Sequence, residues 1–183
     1  IDQPKSVVIG WDIRLSREAV KQATIKGLND AGVNVVDLGM TGTEEVYVGA
    51  FHLDFQGGIE ITASHNPMDY NGMKLVRENA RPISADTGLK EIQALAEAEN
   101  FTEVAKKGIT QNYNILPEFI EHLMTYIDVS KICPMRLVMN AGNGAAGHVI
   151  DAIEDKFKSL NVPIEFIKIH YEADGTFPNG IPN

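Results

Sequence analysis

At 183 residues, 44% of them hydrophobic, the chain has apolar material for one ordinary domain or one and a half smaller ones. A charged fraction of 22% speaks against intrinsic disorder, and a formal net charge of −9 speaks against a non-specific nucleic-acid binder, which needs clustered Lys and Arg. The single cysteine, Cys133, can neither close an internal disulfide nor build a zinc site alone, which favours a reducing, cytoplasmic setting, and no apolar run approaches the roughly 18 residues of a membrane span.

Ser6 to Trp11 is a β-branched run that predicts a strand. Ser16 is placed to cap a following helix, with Glu18 in its first turn and Ala19, Val20, Ala23, Ile25, Leu28 and Ala31 at near-helical spacing up to Gly32. Asn34 to Met40 predicts a second strand, and Thr43-Glu44-Glu45 opens a second helix. Gly57-Gly58 leads into a third strand, Ile59 to Ala63, and Met73 to Val76 forms a fourth. A helix is expected from Ala85 to Glu99, with Leu89, Ile92, Leu95 and Ala96 on one face. Lys106-Lys107-Gly108 and the polar stretch to Asn114 suit a linker. Beyond it come a helix (Leu116 to Ile127), a strand (Arg136 to Asn140), a Gly-rich turn, a helix to about Leu160 and a strand (Ile164 to His170).

The order of elements predicts an α/β fold: one complete mixed-sheet α/β domain over 1–108, and the first half of a second, similar domain over 109–183. The opening at Ile1, without a methionine, and the Pro- and Gly-rich run from Phe177 to Pro182 suggest a piece of a longer protein.

Thr62-Ala63-Ser64-His65-Asn66-Pro67 follows a predicted strand, at the carboxyl end where α/β sheets bind ligands. The turn at Asn66-Pro67 can leave backbone N–H groups free to face an anion, and a hairpin-like return through Asn71-Gly72 would bring Lys74 close to Ser64. Serine with a nearby lysine suits acyl or phosphoryl transfer, and a hydrolase using Ser64 and Lys74 would be labelled at Ser64 by acylating reagents. Turn chemistry alone accounts for the same residues as a solvated loop.

T-A-S-H-N-P followed by D-Y-N-G-M-K closely resembles the phosphoserine signature of the α-D-phosphohexomutases. Gly10-Trp11-Asp12-Ile13-Arg14-Leu15-Ser16 resembles the G-x-D-x-R-x-S segment of that family, Asn143-Gly144 the start of its second domain, and Asp174 to Asn179 its D-G-x-F-P-N segment. Gly42 to Tyr47 and the run from Met73 to Ser84 look most like bacterial phosphomannomutases of surface-polysaccharide synthesis.

The resemblance implies a phosphosugar substrate and a hexose 1,6-bisphosphate intermediate. Ser64 is implied as phosphoryl donor and acceptor and as one ligand of Mg²⁺, Lys74 as general base or acid, and His65 as a group that positions the phosphoryl. Arg14 lies near the site, where an ion pair with Asp12 or Glu18 is an equal reading. The family's D-G-D-G-D-R metal loop, sugar-selecting loop and C-terminal phosphate-binding domain are expected beyond Asn183, and an Arg-bearing segment before Ile1. The 183 residues alone are therefore expected not to complete a mutase cycle. Asn140 stands where many members carry Asp, at a position that reads as structural.

Gly142 to Gly147 also matches G-x-G-x-x-G, the basis of an alternative reading as a dinucleotide-binding domain of an oxidoreductase. Glu165 stands at the start of the next strand and Glu172 and Asp174 lie too far along to serve as its acidic partner, so close helix–strand packing is the preferred account of the glycines. His52, His122, His148 and His170 fall at no metal-ligand spacing.

Overall fold

The computed structural model describes residues 4–102 and 104–181; Ile1, Pro182 and Asn183 lie outside the described residues. In chain order the strands and helices are β1 (Ser6–Trp11), α1 (Arg17–Asp30), β2 (Asn34–Met40), α2 (Thr43–His52), β3 (Gly57–Ile61), β4 (Met73–Arg77), β5 (Arg81–Pro82), α3 (Lys90–Ala98), β6 (Thr110–Asn112), α4 (Leu116–Met124), β7 (Met135–Asn140), α5 (Gly147–Ser159) and β8 (Ile164–Ile169). The first unit is a mixed six-stranded sheet in the order β5-β4-β3-β1-β2-β6. β1 pairs in parallel with both β2 and β3, while β4 returns antiparallel against β3.

Alternate residues of β1 feed opposite cores, as expected of a parallel strand covered on both faces. Val7 and Ile9 pack with Val35, Ile59 and Ile61 around Ile25 of α1. Val8 packs on the other face with Val36, Leu38, Val76, and Val46 and Ala50 of α2. At the end of β1, a methyl group on Gly10 would run into Thr41 Oγ1, Val46 and Glu60 Oε2. Glycine there makes room for a polar pair beneath the sheet.

The stretch read as a linker is stitched to the first unit. Thr110–Asn112 forms the edge strand β6 on β2, and Ile115, 1% exposed, enters the α2-side core. The second unit is the parallel pair β7–β8 with α5 against it, where Phe157 stacks on Phe166 at 5.9 Å.

Several expected details differ. Ser16 does not cap α1 with its side chain; its hydroxyl accepts a hydrogen bond from Asn71 Nδ2 instead. The helix expected from Ala85 begins regular geometry only at Lys90, because Gly88 at φ +133 and Thr87 at φ −122 break the first turn. Leu89, Ile92 and Leu95 remain exposed. β3 ends at Ile61, short of Ala63, and α4 ends at Met124, short of Ile127.

Candidate phosphoryl-transfer site

The segment after β3 is held by bonds that each span about fifty residues of sequence. Thr62 Oγ1 donates to Asp12 Oδ2 at 2.6 Å and accepts from the Ser64 N–H at 2.9 Å. Arg14 is fully buried. Its guanidinium forks onto two carbonyls of the same turn, Ser64 O at 2.6 Å and Pro67 O at 2.5 Å. Arg14 Nε stands 3.8 Å from Asp12 Oδ2, and the Phe177 ring lies against the guanidinium at 5.1 Å. Glu18 pairs with Lys21, so of the two partners considered for Arg14 the structure selects Asp12.

Gripped in this way, Ser64 adopts φ +54, a left-handed backbone that costs a non-glycine residue on the order of 1 kcal/mol and concentrates at functional sites. Asn66 closes the turn by donating from both its backbone N–H and Nδ2 to Ala63 O. Ser64 and His65 are exposed and face a cavity of about 300 Å³ also lined by Asp12, Gly142, Gly144 and Phe177. Both units thus contribute walls.

Lys74 pairs in register with Glu60 across β3–β4, and its Nζ donates to Thr43 Oγ1 at 3.1 Å. Among the described residues no hydrogen bond joins Lys74 to Ser64 or His65. The ammonium sits instead beside Thr43 and Glu60, both lining a second cavity of about 290 Å³ that shares Asp12 and Ala145 with the first.

Glu60 is the residue that the sequence reading passed over, although an acid inside the apolar run Gly57 to Ile61 was a visible signal. It is 1% exposed, accepts from Thr41 Oγ1 at 2.8 Å, and its Oε1 has no hydrogen-bond partner among the described residues. Burial pushes its carboxyl up to about 9, opposed by the Thr41 hydrogen bond. The folded state therefore holds a proton that the unfolded chain releases near 4.5. Stability from this group is complete below that value and is lost as pH rises towards about 9. Glu60→Gln, which needs no proton, is expected to flatten the decline in thermal midpoint across this window; an unchanged pH slope would show Glu60 ionised in the folded protein.

Glu45, also buried, accepts from the Gly42 N–H at 2.7 Å and bonds His148 Nε2 at 2.9 Å, tying α2 to α5. That hydrogen bond holds the His148 imidazolium above its ordinary range, against partial desolvation. His122 instead packs edge-on between Phe51 and Tyr126.

The Gly-rich turn after β7 is occupied by the protein's own bonds. The N–H groups of Gly142, Asn143 and Gly144 donate to Asn140 Oδ1, His170 O and Ala141 O. Asn143 further donates from Nδ2 to Glu172 O and accepts from Asn179 Nδ2. A Cβ on Gly147 would stand 2.6 Å from Tyr171 O, so this glycine lets the start of α5 approach the loop just after β8. Those three N–H groups are therefore not free to face a pyrophosphate. Asn140 caps the turn, a structural role.

Among the described residues no group of three or more His, Cys, Asp or Glu could hold a metal ion. Ser64, even when phosphorylated, does not make a Mg²⁺ site by itself, since Mg²⁺ requires about six oxygen ligands. Among the described residues no helix is long and apolar enough to cross a membrane.

Residues 2–103 match the family described as phosphoglucomutase/phosphomannomutase, alpha/beta/alpha domain I. A phosphomannomutase of Vibrio cholerae serotype O1 is 61% identical over 182 residues, which make up 100% of this chain and 39% of that protein. A phosphomannomutase of Salmonella typhimurium is also 61% identical, over 99% of this chain and 40% of its own length. The crystal structure of a phosphoglucomutase/phosphomannomutase family protein from Burkholderia thailandensis superposes with a TM-score of 0.80 at 32% identity, covering 97% of this chain and 38% of that one. The chain thus spans about 40% of the length of these relatives.

Proposed function

Since the chain belongs to the phosphoglucomutase/phosphomannomutase family, we propose that the full-length protein interconverts mannose 6-phosphate and mannose 1-phosphate through phosphorylated Ser64. The observation that carries this reading is the Ser64 turn: an exposed hydroxyl on a left-handed residue whose carbonyl is clamped by a buried arginine. Such a turn presents the same Oγ to either end of a substrate, as a reaction needs when one serine must both give and receive a phosphoryl group.

In the forward direction phosphorylated Ser64 transfers its phosphoryl to the free hydroxyl of the hexose phosphate. Lys74, as the free amine, takes the hydroxyl proton while Ser64 Oγ leaves as the alkoxide that later receives the second phosphoryl, and His65 steadies the transferring group. The hexose 1,6-bisphosphate turns over within the site, its other phosphoryl returns to Ser64, and Lys74 gives the proton back to the sugar oxygen. Mg²⁺ would neutralise charge on the phosphoryl group. Phosphorylated Ser64 is proposed as one oxygen ligand, the others coming from the part of the protein outside these 183 residues. The chain on its own is proposed to be catalytically silent.

Mannose is favoured over glucose or glucosamine by the names of the relatives at 55–61% identity. The product suits the making of GDP-mannose for polysaccharides, and the single exposed Cys133 suits the cytoplasm. With a net charge of −9, a nucleic acid is not proposed as a partner. Assay of the full-length protein with Mg²⁺ and a hexose bisphosphate is expected to give turnover of mannose 1-phosphate with the highest kcat/KM among the hexose 1-phosphates. No turnover of any hexose phosphate would overturn the reading.

A further inference from the structure

An acid buried in the middle of an apolar strand needs a reason, because a leucine or methionine would fill the space without the cost of burying a carboxyl. Glu60 has no cation bonded to it among the described residues, and one of its oxygens is unpaired. Its described hydrogen bond is to the loop between β2 and α2. Thr41, itself 1% exposed, donates through Oγ1 to Glu60 Oε2 and through its N–H to Trp11 O at 3.0 Å. Gly42, the next residue, is held from the other side by Glu45. Thr43 follows, and its hydroxyl receives the Lys74 ammonium. Lys74 is in turn the cross-strand register partner of Glu60. Strand pairing and chain therefore close a ring, in which the two neighbours on β3 and β4 each bond one hydroxyl of the stretch Thr41 to Thr43, the two-residue loop and the first residue of α2.

We infer that Glu60 is a positioning residue for Lys74, acting through Thr41 and the backbone to Thr43, whose hydroxyl fixes where the ammonium stands. The inference rests on the reading of Lys74 as the group that takes and returns the sugar proton. The lysine stem has four rotatable carbons and is exposed, so without an anchored acceptor its Nζ would sample many positions. A general base about 1 Å out of place can lose on the order of a hundredfold in rate. The charged groups around Glu60 are Asp12 at the end of β1, Glu45 on α2 and Lys74 on β4, and none of them is hydrogen-bonded to it among the described residues. Among the described residues, Thr41 is the group that hydrogen-bonds Glu60 from the loop side.

The test uses the full-length protein and four substitutions. Thr41→Val keeps the volume but cuts the link, and is expected to lower kcat about tenfold or more while KM for the hexose phosphate changes by less than about twofold. Glu60→Ala is expected to do the same, and Glu60→Gln, which keeps an oxygen for Thr41, to restore most of that loss. In a Lys74→Met background Thr41→Val should cost nothing further, because the two act as one unit. Should Glu60→Ala fail to fold, Thr41→Val decides. Unchanged kcat in Thr41→Val alongside a strong loss in Lys74→Met would overturn this inference and leave the mutase reading standing. A Thr41→Val loss that persists in full in the Lys74→Met background would also overturn it. Full activity in Lys74→Met would remove the role of Lys74 and this inference with it, whereas an inactive unmodified protein would remove the mutase reading itself.

Discussion

Ser64→Ala in the full-length protein is expected to lower mutase turnover by roughly 10⁴-fold or more, the scale seen when a covalent nucleophile is deleted. The fold should be untouched. The Ser64 side chain makes no described hydrogen bond; its backbone carries the contacts, through the N–H to Thr62 and the carbonyl to Arg14. Ser64→Gly sharpens the expectation. At φ +54 glycine relieves the left-handed backbone, so it should be about as inactive as alanine yet raise stability by up to about 1 kcal/mol. Stability rising while turnover vanishes is the signature of strain kept for function. Thermal melts of the 183-residue chain and turnover of the full-length protein read the two quantities separately. Residual turnover within tenfold of the unmodified protein in either variant would place the phosphoryl acceptor elsewhere.

Arg14→Met is expected to destabilise the chain by about 3–5 kcal/mol, as when one partner of a buried charged network is removed. Methionine fills most of the volume but leaves Ser64 O and Pro67 O without the guanidinium donor and the Asp12 carboxylate without its neighbouring cation. Arg14→Lys should recover little, since a single ammonium cannot fork onto two carbonyls held on opposite sides of a turn. Urea unfolding at neutral pH checks both. A midpoint equal to that of the unmodified chain would mean that the β3–β4 pairing and the Thr62 and Asn66 hydrogen bonds hold the Ser64 turn without the guanidinium. The same substitution in the full-length protein should lower kcat, because the Oγ would no longer be presented in one place.

How far the sequence led depended on whether a feature is local. β1, β2 and the start of α2 follow from β-branched runs and a Thr-Glu-Glu helix start, all readable within a dozen residues, and their bounds match the structure. The serine turn was legible too, because its motif is contiguous. Arg14 was recognised as close to the site, but its role was not, since its hydrogen-bonding partners lie 50 and 53 residues away. Thr41 with Glu60 and Glu45 with His148 are long-range pairs of the same kind. Edge strand β6 escaped notice because Thr110–Asn112 is three polar residues whose strand character comes from the β2 edge they meet. The helix expected from Ala85 fails at its first turn for a local reason, Gly88, a poor helix former that takes φ +133 there.

The most direct test of Ser64 as the phosphoryl carrier is phosphopeptide mapping of the full-length protein after incubation with a hexose 1,6-bisphosphate and Mg²⁺. One phosphoryl group on Ser64, removed on addition of mannose 1-phosphate or mannose 6-phosphate in step with bisphosphate formation, is the predicted result. An unmodified Ser64 in protein that is turning over hexose phosphates, or a stable phosphate at Ser64 that neither sugar phosphate can discharge, would contradict it.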